Sequence, residues 1–231
     1  MILKKTLSII IPCFNEEKTI IEILKRIDKV KIKGIKKEII VVDDFSTDNS
    51  LNLLKSNNKL YSKLIEHSKN SGKAAAVKTG INESTGDYII IQDADLEYDP
   101  NDYVILLDKL IKSKCDAVYG TRFYHRKYNK GYMYGRIANK FFNKLFNKIY
   151  NSNLTDIGTC YKLFKSKVLK EIPLNENGFC IDTEISIYLI KNNKKIAEVP
   201  ISYYPRSKKE GKKIGLRDGI AITSLLIKSR Y

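Results

Sequence analysis

The sequence is short of the residues that build metal cages, disulfide frameworks and membrane spans. Its four cysteines, Cys13, Cys115, Cys160 and Cys180, are too far apart for a zinc knuckle or a CxxC redox pair. They read as reduced, mostly buried thiols of a cytosolic protein. The two histidines, His67 and His125, have no partner at metal-ligand spacing and are assigned no role. No apolar run approaches the roughly 18 residues of a membrane span, and the best late stretch, Gly219 to Ile227, is half that length. The N-terminus enters a strand-like run without a small-residue cleavage pattern, so a secretory signal is not expected. No internal repeat or low-complexity linker breaks the chain.

Acidic residues are also few, 26 against 42 Lys and Arg, which leaves a formal net charge of +16 over 231 residues. Only seven of the basic residues are arginine, and a lysine-rich surface is read either as drift over solvated faces or as the footprint of an anionic partner. With 43% hydrophobic and 29% charged residues, the composition is that of a globular protein rather than a disordered one. The length suits one sizeable domain, here taken as 1–231, with a basic C-terminal extension from about residue 200.

The first half alternates between two periods. Leu7 to Ile11, Glu38 to Val42, Leu60 to Glu66 and Tyr88 to Ile91 read as strands, the first stopped by Pro12. Between them, Glu16 to Val30 (capped by Asn15), a segment opened by Ser46-Thr47-Asp48, and Lys73 to Ile81 read as helices. This rhythm predicts an α/β fold with a Rossmann-like, mainly parallel open sheet flanked by helices, whose ligands lie at the carboxyl ends of the strands. Further on, Val104 to Ile111 reads as a helix and Ala117 to Gly120 as a strand. A helix over 136–150 places Ile137, Phe141, Leu145 and Ile149 on one face and Lys140, Lys144 and Lys148 on the opposite one.

Polar clusters stand at the expected strand ends: Asn15-Glu16, Asp43-Asp44 and Asp93-Ala94-Asp95. In extended geometry Asp93 and Asp95 point to the same side, so both can approach one hard cation. Glu97 and Asp99 add to a repulsion that Mg²⁺ or Mn²⁺ shared with substrate phosphates would relieve. The plainer reading is an acidic loop capping the helix near Asn101. Lys73, at the start of an Ala-rich helix, could help hold an anion or be a surface charge.

The segments Ser8-Ile9-Ile10-Ile11-Pro12-Cys13-Phe14-Asn15-Glu16-Glu17, Val41 to Asp48, Asn70-Ser71-Gly72-Lys73, Gly86-Asp87, Asp93-Ala94-Asp95, Gly120-Thr121-Arg122 and Glu198 to Ile201 occur in the order found in family 2 glycosyltransferases of the GT-A fold, which the chain resembles over nearly its whole length. Within that family it is most similar to the dolichol- and polyprenyl-phosphate hexose synthases. The resemblance implies a metal-dependent inverting enzyme that moves a hexose from a GDP-mannose or UDP-glucose type donor to a polyprenyl or dolichyl phosphate. It implies that Pro12, Phe14 and Glu16 surround the nucleotide base, that Val42 and Asp44 hold base and ribose, and that Asp93 and Ala94 line the donor. Asp95 and Glu97, with Asp93, would hold the Mg²⁺ or Mn²⁺. Arg122 and Arg136 match the arginines that neutralise phosphates. Arg206, Lys212 and Lys213 sit where the family carries a mobile acceptor loop, here longer than usual. Phe45 stands where glycine is usual, which would tighten the nucleotide pocket.

An acceptor phosphate is already ionised near neutral pH and needs no base, whereas a saccharide or other hydroxyl acceptor would need a carboxylate to take its proton. Asp156 is the leading candidate for that alternative and Glu184 the second; a helix cap or an arginine-paired carboxylate are their plainer readings. Relatives often continue into transmembrane helices, so a chain without them implies peripheral contact with the cytosolic face of an anionic membrane, or a membrane-bound partner. The basic residues from 192 onward, the Phe-rich helix and Ile220 to Ile227 fit such contact. A non-enzymatic nucleic-acid module is the remaining alternative. No RNP, KH or zinc-finger pattern supports it, and the acidic clusters would repel a phosphate backbone.

Overall fold

The computed structural model describes residues 5–123, 133–206 and 216–229. Seven strands form one sheet in the order β3-β2-β1-β4-β6-β5-β7. The first four are β1 (Lys5–Cys13), β2 (Ile35–Asp43), β3 (Lys63–Glu66) and β4 (Tyr88–Ile91), followed by β5 (Ala117–Thr121), β6 (Lys162–Lys165) and β7 (Ile196–Pro200). All neighbouring strands are parallel except that β6 runs against both β4 and β5. The helices are α1 (Ile20–Lys29), α2 (Ser50–Ser56), α3 (Lys73–Glu83), α4 (Tyr103–Lys112), α5 (Met133–Tyr150), α6 (Ser166–Lys170), α7 (Ile181–Lys191) and α8 (Leu216–Lys228).

Alternation along β1 sends Leu7, Ile9, Ile11 and Cys13 into one apolar layer with α1 and α4, and Ile10 into the other, with α3, α5, α7 and α8. The α1 stripe Ile20, Ile23, Leu24 and Ile27 is fully buried, each side chain contributing about 1.5–3 kcal/mol relative to exposure. Lys37 reaches from β2 to the end of α1, where its Nζ donates to the carbonyls of Ile27, Asp28 and Val30 at 2.7, 2.6 and 2.9 Å. The last carbonyls of a helix are short of intrahelical donors, and Lys37 adds to the single N–H, from Val30, that reaches Ile27.

Pro12 does not stop β1, which continues to Cys13. The Ile10 carbonyl accepts from Gln92 N–H on the β4 side, and the Cys13 carbonyl accepts from Asp44 N–H on the β2 side. Pro12 therefore faces the β4 side beyond the last pair, Ile10 with Ile91, where no N–H is needed. Asn15 is not the cap of α1, which starts at Ile20. Asn15 has φ +53°, and its Oδ1 accepts from Thr47 N–H at 2.8 Å, tying the loop after β1 to the loop after β2. Both β3 and α2 start later than the sequence pattern suggests, because 58–60 form a 3-10 turn and Ser46 to Asn49 form the loop.

On α5 the expected faces rearrange. Phe146 and Asn143 are buried and Phe142 and Leu145 half-buried, whereas Ile137 and Phe141 are exposed beside Lys140, Lys144 and Lys148. The helix turns Phe146 inward because Asn143 is anchored: its Nδ2 donates to the Thr155 carbonyl and its Oδ1 accepts from Ile157 N–H at 2.8 Å. The cysteines are buried and none forms a disulfide. Among the described residues, no helix is long and apolar enough to cross a membrane.

Candidate active site

Carboxylates converge above the ends of β1 and β4, and Arg206 sits among them. Its guanidinium bonds Glu16 Oε2 at 3.2 Å and Asp95 Oδ2 at 2.6 Å, and its backbone N–H donates to Glu97 Oε1 at 2.6 Å. Glu97 Oε2 accepts from the Tyr203 hydroxyl at 2.7 Å, and Asp95 Oδ1 accepts from Glu97 N–H. Burial, with the charges of Asp93 and Glu97 beside it, pushes Asp95 up to about 7, although Arg206 opposes the shift. These carboxylates offer oxygen ligands of the hard type that Mg²⁺ or Mn²⁺ prefers. As they stand, no three or more His, Cys, Asp or Glu side chains among the described residues are grouped so as to hold a metal ion. An ion here would complete its shell with substrate oxygens.

Asp93, close enough for its charge to act on Asp95, has a cation of its own. It pairs with Lys73 Nζ at 2.6 Å, which also lies 3.1 Å from Cys160 Sγ, so Lys73 is not a surface charge. Burial would raise the Asp93 carboxyl, but Lys73 holds it below the usual carboxylate range, and Asp93 in turn keeps Lys73 firmly protonated. Burial and the Asp93 charge push the Cys160 thiol well up, which makes it inert.

The loop after β2 carries a separate acceptor set. Asp44 accepts from Ser71 N–H at 2.9 Å and Gly72 N–H at 2.7 Å, and contacts His67 Nδ1 at 2.8 Å. His67 Nε2 reaches Thr79 on α3 at 3.0 Å, so His67 fixes Asp44 and the turn that opens α3. Asp43 accepts from Ser46 N–H, while its buried Oδ1 has no partner among the described residues. Val42 packs its side chain with Ala76 of α3. Pro12 and Phe14 are half-buried beside it, and Ala94 is buried beneath the acidic loop.

A second guanidinium lies deeper. Arg122 donates to Asp156 through Nε at 2.8 Å, Nη2 at 2.7 Å and its backbone N–H at 3.0 Å, and Nη1 reaches Tyr98 Oη at 3.3 Å. Asp156 is fully buried. Glu198 of β7 accepts from Thr155 N–H and Asp156 N–H at 2.9 and 3.2 Å, which sets the turn that presents Asp156. Tyrosines join the two arginine regions: Tyr98 stacks on Tyr161 at 4.6 Å, lies 5.1 Å from the Tyr203 ring, and Tyr203 bonds Glu97. Glu184 accepts from Asn175 and Glu176 N–H groups, and so organises that loop. The side chain of Arg136, together with Lys212 and Lys213, lies outside the described residues.

The sequence pattern did not reveal His67, Tyr98, Tyr203 or Glu198 as part of this network, nor the buried Lys162, which donates to Asp182 at 3.0 Å and to two carbonyls. Only Glu198 stood in a segment that the sequence marks out.

Comparison with known proteins places this geometry. The glycosyl transferase family 2 model matches residues 8–173. The chain is 32% identical over 205 residues to an uncharacterized protein of Methanocaldococcus jannaschii, covering 84% of this chain and 86% of that one. It is 32% identical over 210 residues to the dolichol-phosphate mannosyltransferase of Pyrococcus furiosus, covering 89% of this chain and 58% of that longer protein. Glucosyl-3-phosphoglycerate synthase from Mycobacterium tuberculosis, crystallised with Mn²⁺, UDP and glucosyl-3-phosphoglycerate, shares the fold with a TM-score of 0.74 at 18% identity, over 97% of this chain and 78% of that one. With its open sheet and acidic strand ends, the chain is a glycosyltransferase of the GT-A fold and belongs to glycosyl transferase family 2.

Proposed function

We propose that the protein is a metal-dependent, inverting glycosyltransferase that moves a hexose from a nucleoside-diphosphate sugar, of the GDP-mannose or UDP-glucose type, to a polyprenyl or dolichyl phosphate. The donor's base lies against Pro12, Phe14 and Glu16, with Val42 and Asp44 at base and ribose. Asp93, fixed by Lys73, and Ala94 line the sugar diphosphate. Asp95 and Glu97, with Asp93 nearby, hold a Mg²⁺ or Mn²⁺ that supplies Lewis-acid stabilisation of the departing diphosphate. Arg206 leaves its carboxylates as the donor enters and, with Lys212 and Lys213, closes over the acceptor. Arg136 counters the negative charge of the phosphates, while Arg122, neutralised by Asp156, holds the turn behind them in place.

The observation that carries the choice of acceptor is the Arg122–Asp156 pair. The carboxylate best placed by sequence to act as a base is buried and already accepts three N–H groups from one arginine. Both oxygens of such a carboxylate are occupied in positioning Arg122 rather than turned to a substrate hydroxyl, so an acceptor that arrives ionised suits the site better than a hydroxyl. The similarity to a dolichol-phosphate mannosyltransferase points the same way. This acceptor also requires the enzyme to meet a membrane, through its own surface or a bound partner.

The test is transfer of label from UDP- and GDP-sugars, with Mn²⁺ or Mg²⁺, into solvent-extractable polyprenyl phosphate, with Asp95→Ala beside it. Labelled lipid that disappears in the variant is the expected result and identifies the nucleotide. Donor hydrolysis without lipid product would overturn the acceptor and direct the search to hydroxyl compounds.

A further inference from the structure

The rearranged faces of α5 leave an apolar and basic surface outside the site. Along the outer side of α5, Ile137, Phe141, Lys144 and Lys148 follow one another at three- and four-residue spacing, with Lys140 alongside. Ile137 and Phe141 are 63% and 60% exposed, far more than their neighbours Phe142 and Phe146. Helix α5 contains no acidic residue.

Helix α8 widens this surface. Gly219 lies against the Phe142 ring, and the Tyr150 hydroxyl donates to the Leu226 carbonyl at 3.0 Å, so the two helices run side by side in the same direction. Leu225 and Leu226 face the core, while Ile220 and Ile227 are 65% and 57% exposed and Lys228 is exposed. Four large apolar side chains in solvent, with lysines among them and no acid on α5, form neither a core face nor an ordinary solvated face.

We propose that this α5–α8 face docks on an anionic lipid bilayer, with Ile137, Phe141, Ile220 and Ile227 entering the headgroup boundary and Lys140, Lys144, Lys148 and Lys228 meeting lipid phosphates. Charge complementarity selects the occupant. A second copy of so basic a chain would bring lysines against lysines, whereas an anionic leaflet attracts them and accepts the apolar side chains between them. The site stands close behind. Asn143 anchors the turn at Thr155 and Ile157, and Asn139 borders Gly158, next to Arg122. One helix thickness, about 10 Å, therefore separates the docking face from the turn that holds the buried arginine pair.

Docking does not depend on the acceptor being a lipid phosphate, and its test omits that acceptor. The full chain is sedimented with phosphatidylcholine vesicles, with and without phosphatidylserine, at moderate salt. Binding is expected with phosphatidylserine and weak without it. Phe141→Ser with Ile220→Ser should weaken binding about ten-fold, and Lys140→Gln, Lys144→Gln and Lys148→Gln together about a hundred-fold. The triple variant Lys25→Gln, Lys29→Gln and Lys31→Gln removes equal charge near α1, on the other side of the sheet, and should retain most of the binding. All these positions are exposed, and an unchanged melting curve verifies folding. Absence of vesicle binding, or equal losses from the two lysine triples, would overturn the proposal. So would a dimer that becomes monomeric on Phe141→Ser while ignoring vesicles.

Discussion

Two arginines meet carboxylates in this molecule, and their settings differ in ways that assign them different work. Arg122 and Asp156 form a closed unit, with side chains 6% and 0% exposed, every carboxylate oxygen engaged and a tyrosine hydroxyl on the remaining guanidinium nitrogen. Arg206 is 19% exposed, shares its charge between Glu16 and Asp95, and keeps a buried Nε without a partner among the described residues. A closed pair resists exchange because removing either partner strands a charge in a low dielectric. An open pair can trade its cation for another one. One fold thus sets a closed arginine and a more open one on either side of a tyrosine layer.

Breaking the closed pair should have the largest effect. Asp156→Asn preserves shape but leaves Arg122 without its counter-charge, and should destabilise the fold by about 3–5 kcal/mol, lowering Tm by roughly 10 °C. The double variant Arg122→Met with Asp156→Leu should be more stable than the single one. Thermal melts followed by circular dichroism check both. If Asp156→Asn melts like the parent and loses only transfer, Asp156 is a base and the pairing is incidental.

Glu198 supports the same pair from β7. Glu198→Ala deprives Thr155 and Asp156 of an acceptor for their N–H groups and should cost about 2 kcal/mol, a Tm drop of roughly 4–8 °C. A drop as large as that of Asp156→Asn would mean that the turn, rather than the ion pair, carries the stability.

The open pair should respond in binding rather than in stability. Arg206→Ala removes a cation that competes for Asp95 and Glu16, so Mn²⁺ alone, titrated by calorimetry above pH 7, should bind about ten-fold tighter while Tm moves by only about 2 °C. Acidity should act through the same carboxylate. With the Asp95 carboxyl raised to about 7, protons hold it below that pH and compete with the ion. Affinity for Mn²⁺ should therefore fall about ten-fold from about pH 8 to about pH 6. Asp95→Asn should flatten that dependence, and an unchanged slope would place the ion elsewhere.

Legibility in the sequence followed the range of the interactions. The strands β1, β2 and β4 are β-branched runs that end in polar residues, so both the sheet and the site's position at its carboxyl edge could be read locally. In contrast, β6 was hidden because Lys162 places a charge in a four-residue strand, its cost met by Asp182 and two carbonyls supplied by the fold. Helix α7 was hidden because it is buried on most sides and shows little amphipathic period. The α5 faces were misassigned because Lys140, Lys144 and Lys148 lie three or seven residues from Ile137 or Phe141 and so share their face, while Asn143, polar by composition, is anchored inward. Arg206 was singled out by the resemblance of its loop, but its bond to Asp95 spans 111 positions and no local pattern encodes it.

The smallest expected effect concerns the backbone beside the open pair. Asn15 and Phe45 both lie in the left-handed region, at φ +53° and +63°. Asn15 uses its side chain there, accepting from Thr47 N–H, and asparagine tolerates the conformation. Phe45 is 50% exposed and bulky, so the conformation is strained. Phe45→Gly removes the clash between Cβ and the backbone, and relief of about 1–2 kcal/mol should outweigh glycine's extra freedom in the unfolded chain. The net gain, about 1 kcal/mol, should raise Tm by roughly 2–4 °C. If donor affinity falls as Tm rises, Phe45 is retained for its contact with the nucleotide, and strain at this loop is linked to recognition. If Tm rises and donor affinity stays, the aromatic ring has no part in the nucleotide pocket, and the expectation that Phe45 tightens that pocket fails.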